Sequence, residues 1–349
     1  MKAGVVYAKN DIRYDEIDKP EVKPGKVLIK VKYTGICGSD IPRVNADACH
    51  YFPNVLGHEF SGIVEAVGEG VTTLQPGDRV AGVPLVPCMK CEDCQKGNYS
   101  LCKNYSFIGS REFGSFAEYV SVPEKNAVKF DEEVSFEKGA LFEPATVALH
   151  GLQRVDYKGG KTVAILGGGT IGMLTMQWAK IYGAKKVVVF DLLDERLELA
   201  KRLGADEVVN SGKENFMEEV MRITDGQGFD YIYETAGNTI TMKMAFKLAA
   251  NKAQICFIGT PTNEMSFSVD EWENMNRKEF TMTGSWMSYS APFPGEEWKL
   301  AAHYFKTGEL KIDDSFIFRI IPLSSIDSAF EMFKTPGMVK GKILIDSEA

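Results

Sequence analysis

The chain has 349 residues, of which 44% are hydrophobic and 25% charged, and its formal net charge is −8. This length suits two domains better than one, and the composition is that of a globular protein. The acidic balance without a basic run argues against nucleic-acid binding, and the lack of a long apolar stretch or signal-peptide pattern predicts a cytoplasmic protein without a membrane span.

The first third of the chain carries short strand patterns separated by Pro-Gly turns. Over 27–31, apolar residues alternate with lysines, as in a strand that buries one face. Similar patterns predict strands over 60–71 and 78–83. This part of the chain is therefore expected to be all-β and barrel-like, and a helical stretch is predicted to follow over about 135–155.

Four cysteines lie close together in the segment 84–105, which we call the cysteine lobe. Their spacing is C-x2-C-x2-C-x7-C, and four thiolates on one short segment can surround Zn²⁺ tetrahedrally. Such a site has no open position, so this zinc is expected to be structural. Disulfides are disfavoured in a cytoplasmic chain, and the last gap is too long for a ferredoxin-type iron–sulfur motif. The four residues are Cys88, Cys91, Cys94 and Cys102.

Four further candidate metal ligands are dispersed. Cys37 lies in GICGSD, His58 and Glu59 lie in LGHE, and Glu143 lies in LFEPATVALH. Three of them also have an ordinary structural explanation: Cys37 as a core thiol, His58 as a turn histidine and Glu143 as an acid at a helix start. Their spacing does not bring them together. A cysteine, a histidine and a carboxylate with an open fourth position are nevertheless a ligand set for a catalytic zinc.

The segment 161–191 has the order strand, glycine-rich turn, helix, strand, acid. Its glycines have the G-x-G-x-x-G spacing, which lets a backbone approach a pyrophosphate at a helix N-terminus. The spacing alone also fits an ordinary turn, but the flanking strand, helix and acid favour a dinucleotide site. The residues expected at this site are Gly167, Gly169, Thr170, Ile171, Gly172, Asp191 and Arg196.

Asp191 indicates which dinucleotide is bound. A carboxylate at the end of the second strand accepts hydrogen bonds from ribose hydroxyls and repels a 2′-phosphate, so NAD is favoured over NADP. Arg196 follows five residues later and could stack near the adenine or pair with Asp194.

Six strand patterns with helical patterns between most of them predict a doubly wound parallel sheet in the second half. They start near residues 163, 187, 207, 231, 254 and 280. After residue 287 the chain has only two predicted helices and a few strands. This segment is too small for a core of its own and is expected to complete the first domain.

Taken together, these motifs resemble the zinc-dependent medium-chain alcohol and polyol dehydrogenases. GHEFSGIVEAVGEGV, GDRVAGVPLVPC, the cysteine lobe, the Glu-Pro pair and GGGTIG occur in that family's order. The resemblance implies a GroES-like β-barrel catalytic domain, residues 1–153 and 288–349, a Rossmann NAD-binding domain, residues 154–287, and an active site in the cleft between them. It also implies dimers, or sometimes tetramers, formed through the edges of the Rossmann domains.

The resemblance further implies roles for individual residues. Cys37, His58 and Glu143 would hold a catalytic zinc, but in the sorbitol dehydrogenase branch Glu59 can ligate instead, so the choice between the two acids stays open. Ser39 would hydrogen-bond the reacting oxygen and begin a proton relay. Pro42 stands where some alcohol dehydrogenases carry a relay histidine, so the end of this relay is left unassigned.

HYFPNVLGHEFSG, FIGSREFGSFAEY and GSWMSYSAPFPGEEW resemble a branch that oxidises a phosphorylated hexitol, galactitol 1-phosphate, to tagatose 6-phosphate. An unphosphorylated substrate such as sorbitol, xylitol, threonine or 2,3-butanediol is the alternative. A phosphate requires cationic partners, and Arg43 and Arg111 are the leading candidates, with His50, Arg277 and Lys278 behind them. Tyr51 is a candidate for the pocket wall. Each of these residues could instead be an ordinary surface or core residue.

Overall fold

The structure is a computed structural model that describes residues 1–261, 263–313 and 315–349. It divides the chain into two compact units. The first comprises Met1–Glu143, Tyr289–Gly308 and Ile312–Ala349, and the second comprises Pro144–Ser288 and Glu309–Lys311. No helix in these described ranges is both long and apolar enough to cross a membrane.

The strands of the described residues, in chain order, are β1 (Lys2–Ala8), β2 (Asp11–Glu16), β3 (Lys26–Gly35), β4 (Asn54–Val55), β5 (Glu59–Val67), β6 (Arg79–Gly82), β7 (Leu85–Val86), β8 (Ser106–Phe107), β9 (Tyr119–Pro123), β10 (Ala127–Lys129), β11 (Thr162–Leu166), β12 (Lys186–Asp191), β13 (Glu207–Asn210), β14 (Phe229–Glu234), β15 (Ala249–Phe257), β16 (Thr281–Gly284), β17 (Ile317–Pro322) and β18 (Lys342–Asp346).

The α-helices are α1 (Asp40–Asn45), α2 (Glu92–Gln95), α3 (Phe136–Gly139), α4 (Phe142–Gln153), α5 (Thr170–Ile181), α6 (Asp194–Leu203), α7 (Phe216–Ile223), α8 (Thr239–Leu248), α9 (Val269–Lys278), α10 (Glu296–Thr307) and α11 (Ile326–Met332). Among the described residues, short 3-10 helices cover Tyr99–Leu101, Glu124–Asn126 and Leu323–Ser325.

Strand β3 organises the sheet that carries the dispersed metal ligands. It pairs antiparallel with β5 and β9, and β18, from the C-terminal segment, also pairs with it. The full order is β10-β6-β5-β3-β18-β17, with β9 beside β3. Apolar side chains of β3 and its neighbours form a buried core, which the alternation over 27–31 predicts. The end of β3 therefore lies beside the start of β5 and near β18.

The second unit contains the six-stranded parallel sheet that the sequence predicts. Its order is β13-β12-β11-β14-β15-β16, and every neighbouring pair in it is parallel. The central strands are runs of fully buried apolar residues, as expected for a sheet covered on both faces. The chain runs from β11 to β12 on one side and later returns to β14 on the other. This reversal creates a crevice at the carboxyl ends of the strands, where such sheets bind ligands.

The helical stretch predicted over about 135–155 is present and consists of two helices. Ser135 caps α3, because its hydroxyl accepts a hydrogen bond from the backbone N–H of Lys138, and α4 starts at Phe142. Pro144 lies in the first turn of α4. A proline tolerates that turn but would clash with the preceding turn of an uninterrupted helix.

Candidate active site

Strand pairing in the first unit brings three of the dispersed ligands together. Cys37 follows the end of β3, and His58 and Glu59 stand at the start of β5, where Gly35 pairs with Glu59. The ligand atoms of Cys37, His58 and Glu59 all lie within 4.8 Å of one another. His58 and Glu59 are buried, so this group has limited access to water.

Asp40, which the sequence analysis did not select, supports this group. Its carboxylate is fully buried, and one oxygen accepts a hydrogen bond of 3.0 Å from the backbone N–H of Cys37. The other oxygen lies 3.3 Å from Nδ1 of His58. A carboxylate beside one imidazole nitrogen leaves the other nitrogen, Nε2, for a metal. The sequence held a signal for this role, since Asp40 follows Cys37 by three residues in GICGSD.

The electrostatics of the group favour a bound cation. Burial lowers the pKa of His58, but the negative charges of Asp40 and Cys37 outweigh it and hold that pKa well above its ordinary value. His58 Nδ1 and Asp40 Oδ1 are buried without an aligned hydrogen bond to any described residue. A zinc ion would supply the positive charge that a proton otherwise provides. A thiolate, an imidazole and a carboxylate within ligand distance of one another therefore fit zinc.

Glu143 is near enough to His58 and Glu59 to interact with their charges. It does not belong to the group of Cys37, His58 and Glu59, whose ligand atoms all lie within 4.8 Å of one another. It stands in the first turn of α4 and is buried. Burial raises its pKa to about 7, opposed by the nearby charge of His58 and reinforced by that of Glu59. Of the two acids that the sequence leaves open, the structure brings Glu59 to the cysteine and histidine.

Lys342 is a second residue that the sequence analysis missed. It opens β18 and is buried, and its ammonium group contacts Oε2 of Glu59. Gly35 leaves room for this pair, because a Cβ there would lie 2.4 Å from Oε2 of Glu59. A lysine before an apolar strand is common, so nothing in the sequence pointed to this ion pair.

Ser39, the candidate relay residue, lies two positions after Cys37. It precedes α1, and its side chain makes no capping hydrogen bond to that helix. The residue is exposed to solvent. Its hydroxyl therefore does not have the turn-stabilising role that is the ordinary explanation for a serine in this position.

The four cysteines of the cysteine lobe form a second metal-binding group, with ligand atoms within 4.8 Å of one another. Backbone N–H groups of Cys94 and Lys103 lower the pKa of Cys91 to about 6, whereas burial raises that of Cys94 to about 12. A cation is therefore required to hold all four as thiolates. Four protein ligands leave no position for a substrate, as expected for a structural zinc.

The glycine-rich turn of the second unit has the geometry of a phosphate-binding loop. Gly167 adopts φ +108°, in the left-handed region, and a Cβ on Gly172 would lie 1.8 Å from the carbonyl oxygen of Gly167. Gly169 begins α5 without a side-chain cap and has open space around it. The first backbone N–H groups of α5, at Thr170 and Ile171, are thus available to an anion.

Asp191 ends β12 beside this turn. One carboxylate oxygen accepts a hydrogen bond of 2.7 Å from the backbone N–H of Gly168, and the other accepts bonds from the N–H groups of Leu192 and Leu193. Arg196 lies 3.6 Å from Asp191, an ion pair that the sequence analysis did not propose. These contacts fix the carboxylate beside the glycine-rich turn.

Three of the candidate phosphate ligands converge in the first unit. Arg43, on α1, donates a hydrogen bond of 2.6 Å to the carbonyl oxygen of Ser39. Arg111 stacks over the ring of Tyr105 at 4.8 Å. Partial burial and the positive charges of Arg111 and Arg43 lower the pKa of His50. Tyr51 follows His50 and is 38% exposed.

The two remaining cations are in the second unit and are engaged there. Arg277 pairs with Glu273 at 2.8 Å, and Lys278 donates to the carbonyl oxygens of Phe246 and Lys247. Their positions do not favour a role in phosphate binding.

Comparison with known proteins agrees with this geometry. Residues 23–132 match the alcohol dehydrogenase GroES-like domain, and residues 170–303 match the zinc-binding dehydrogenase domain. The chain is 40% identical to the galactitol 1-phosphate 5-dehydrogenase of Escherichia coli over 95% of this chain and 94% of that protein. It is 34% identical to the sorbitol dehydrogenase of Bacillus subtilis over 77% of this chain and 78% of that protein.

A solved structure gives the same result. The crystal structure of galactitol-1-phosphate dehydrogenase from Escherichia coli superposes with a TM-score of 0.94 at 38% identity, covering 99% of this chain and 100% of that one. The predicted fold, a GroES-like domain plus a doubly wound Rossmann sheet, is confirmed. The chain belongs to the zinc-dependent medium-chain alcohol and polyol dehydrogenases, oxidoreductases that use zinc and a nicotinamide dinucleotide.

Proposed function

We propose that the enzyme oxidises a secondary hydroxyl of a phosphorylated hexitol, galactitol 1-phosphate to tagatose 6-phosphate, with hydride transfer to NAD. The observation that supports the phosphate is that Arg43 and Arg111 both lie near enough to His50 to lower its pKa, in the unit that holds Cys37. Similarity to a galactitol 1-phosphate 5-dehydrogenase supports the same substrate. The sorbitol dehydrogenase relative makes an unphosphorylated polyol the competing choice.

The three basic side chains suit a phosphate dianion. Arg43 donates a hydrogen bond to the carbonyl oxygen of Ser39, which follows Cys37 by two positions in the sequence, and this bond holds the guanidinium group of Arg43 in place. Arg111 stacks on Tyr105 and forms no ion pair with any described residue. Because the neighbouring arginines depress the pKa of His50, a bound anion would relieve their repulsion and favour the protonated imidazole. A planar guanidinium can bind phosphate through two hydrogen bonds, which a neutral polyol does not offer.

The metal-binding residues supply the chemistry. We assign Cys37, His58 and Glu59 as ligands of the catalytic zinc, with Asp40 orienting His58 and Glu143 as a nearby acid. When bound, zinc supplies Lewis-acid polarisation that lowers the pKa of an alcohol. We assign Ser39 as the residue whose hydroxyl hydrogen-bonds the reacting oxygen and begins the proton relay. The cysteine lobe holds the second, structural zinc.

The substrate assignment predicts a selective effect of losing one arginine. We expect Arg111→Gln to raise KM for galactitol 1-phosphate about 10- to 100-fold, because a charge-assisted hydrogen bond contributes about 1.5–3 kcal/mol. Turnover of unphosphorylated galactitol should not change. Steady-state NADH production with both substrates, and with sorbitol, xylitol, threonine and 2,3-butanediol, measures this.

Arg319→Gln is the matched control, since Arg319 is a surface arginine of the same unit that stacks on Phe318. This variant should leave KM unchanged for galactitol 1-phosphate and for unphosphorylated galactitol. A wild-type enzyme that is as efficient with a neutral polyol as with galactitol 1-phosphate would contradict the phosphate assignment.

Asp191 is assigned as the residue that selects NAD. We expect Asp191→Asn to lower the ratio of kcat/KM for NAD to that for NADP at least about tenfold, since the variant no longer repels a 2′-phosphate. Asp194→Asn, at the start of α6, keeps Asp191 and should preserve the ratio. If the ratio of kcat/KM for NAD to that for NADP is unchanged in the Asp191 variant, the carboxylate does not discriminate between the two dinucleotides.

We also propose a homodimer, with a tetramer as the alternative, formed through the edge strand β16. In the described ranges β16 pairs only with β15, so its other edge is open. Met282 on this strand is 44% exposed, and Trp272 and Trp286 nearby are 43% and 53% exposed. An open strand edge with exposed apolar side chains favours pairing with another copy. Sedimentation should show a dimer that Met282→Lys dissociates, whereas a monomeric wild type would exclude this interface.

A further inference from the structure

A buried acid stands at the carboxyl end of β14, outside the chemistry described above. Glu234 has no exposed surface. Its Oε1 accepts hydrogen bonds from the backbone N–H groups of Ala236 and Gly237, each 2.9 Å, and from the hydroxyl of Thr241 at 2.7 Å. Burial of a carboxyl group is costly unless such bonds offset it. The residue therefore holds the loop after β14 in one conformation.

Thr235 ties the same loop to the glycine-rich turn. Its backbone N–H donates to the carbonyl oxygen of Leu166 at 2.9 Å. Its hydroxyl lies 3.0 Å from the carbonyl oxygens of both Leu166 and Gly167. A Cβ on Gly172 would lie 2.9 Å from this hydroxyl, so the turn and Thr235 are in close contact.

The loop after β15 is joined to the same residue. The backbone N–H groups of Ile258 and Gly259 donate to the carbonyl oxygen of Glu234, at 2.8 and 3.0 Å. A Cβ on Gly259 would lie 2.3 Å from the backbone nitrogen of Gly237 and 2.7 Å from Oε2 of Glu234. A Cβ on Gly237 would lie 2.5 Å from the carbonyl oxygen of Thr260. The loops 235–237 and 258–260 thus meet backbone to backbone above this carboxyl group.

These loops lie on one side of β11, and Asp191 lies on the other. A dinucleotide bound at the reversal point of such a sheet extends across it. If the adenosine half is held at β12 by Asp191, the nicotinamide half lies over the loops that follow β14 and β15. We propose that Glu234 and Thr235 are positioning residues that shape these two loops for the nicotinamide half of NAD. This inference rests on the proposed cofactor site.

The proposal predicts that the variants lose affinity for NAD but keep their affinity for AMP. A general loss of stability would not produce this difference. Calorimetry measures the Kd of NAD and of AMP, which carries only the adenosine half. Glu234→Met keeps the length of the side chain but removes the accepted hydrogen bonds, and Thr235→Val removes the hydroxyl. Each is expected to weaken NAD binding at least about tenfold and AMP binding less than about twofold.

Two further variants complete the experiment. Glu234→Gln keeps a carbonyl oxygen for the three accepted bonds and should restore NAD affinity to within about threefold of wild type. Thr224→Val removes another buried hydroxyl of the same unit, bonded to Val220 at 2.8 Å, before the amino end of β14. It should leave both affinities unchanged.

Equal losses of NAD and AMP affinity in the Glu234 and Thr235 variants, or unchanged NAD affinity, would overturn the proposal. A Gln variant as weak as the Met variant would also contradict it. These outcomes are distinct from a failure of the cofactor assignment, because in that case the wild-type protein itself would not bind NAD.

Discussion

Cys37→Ser is expected to lower kcat at least about 1,000-fold while the protein remains folded. Zinc polarisation of an alcohol contributes several kcal/mol to the transition state, and about 1.4 kcal/mol corresponds to each factor of ten. The ligand atoms of Cys37, His58 and Glu59 lie within 4.8 Å of one another, so replacing the thiolate removes one of three close donors. Zinc content should fall from about two ions per chain to about one.

Cys91→Ser distinguishes the two metal groups. It should also release about one zinc, but the main effect should be lower stability, because a four-cysteine site contributes its binding free energy to folding. Elemental analysis, thermal unfolding and turnover measured on both variants separate the roles. If the Cys37 variant turns over normally, or if wild-type protein purified without chelator holds fewer than two zinc ions, the assignment of the two groups is wrong.

Lys342→Met is expected to lower the free energy of unfolding by about 3–5 kcal/mol, because it leaves the buried carboxylate of Glu59 without its ionic partner. Lys342 is 5% exposed and Glu59 2%, so water cannot replace the lost charge. Urea unfolding in a Cys37→Ser background, which is expected to lack the catalytic zinc, gives the measurement, because a bound zinc ion would itself balance the charge of Glu59. A double variant that also carries Glu59→Gln should recover part of the loss, since no charge is then left unpaired.

Lys32→Met is the matched control for this prediction. Lys32 lies on β3 and pairs with Glu348 at the surface, where water and salt screen the interaction. Its replacement should cost no more than about 1 kcal/mol. Equal effects of the two lysine variants would mean that the buried pair contributes no more than a surface one.

The parts of the site that could be predicted from the sequence are those encoded by short segments. The cysteine lobe places four thiols within fifteen positions, and the glycine-rich turn, its helix and Asp191 form one strand–helix–strand unit. In such segments the local backbone alone brings the functional groups together. The role of Asp40 could also have been predicted, because Asp40 follows Cys37 by three residues, but an isolated acid near a cysteine is a weak signal.

Other features depend on contacts between distant segments. Lys342 reaches Glu59 because β18 pairs with β3, and β3 pairs with β5. Arg43, His50 and Arg111 converge although Arg111 is far from the other two in sequence. The break between α3 and α4 reflects Pro144, a local signal that the helical pattern around it obscured.

By itself, the amino-acid sequence determined the family and the two kinds of domain, and it predicted the cysteine lobe and the glycine-rich turn, since these are motifs whose residues are neighbours along the chain. Only the tertiary structure brings the ligand atoms of Cys37, His58 and Glu59 close together, with Asp40 beside His58 and Lys342 in contact with Glu59. The physical reason is that strand register sets which distant side chains meet, and register depends on the packing of the whole sheet.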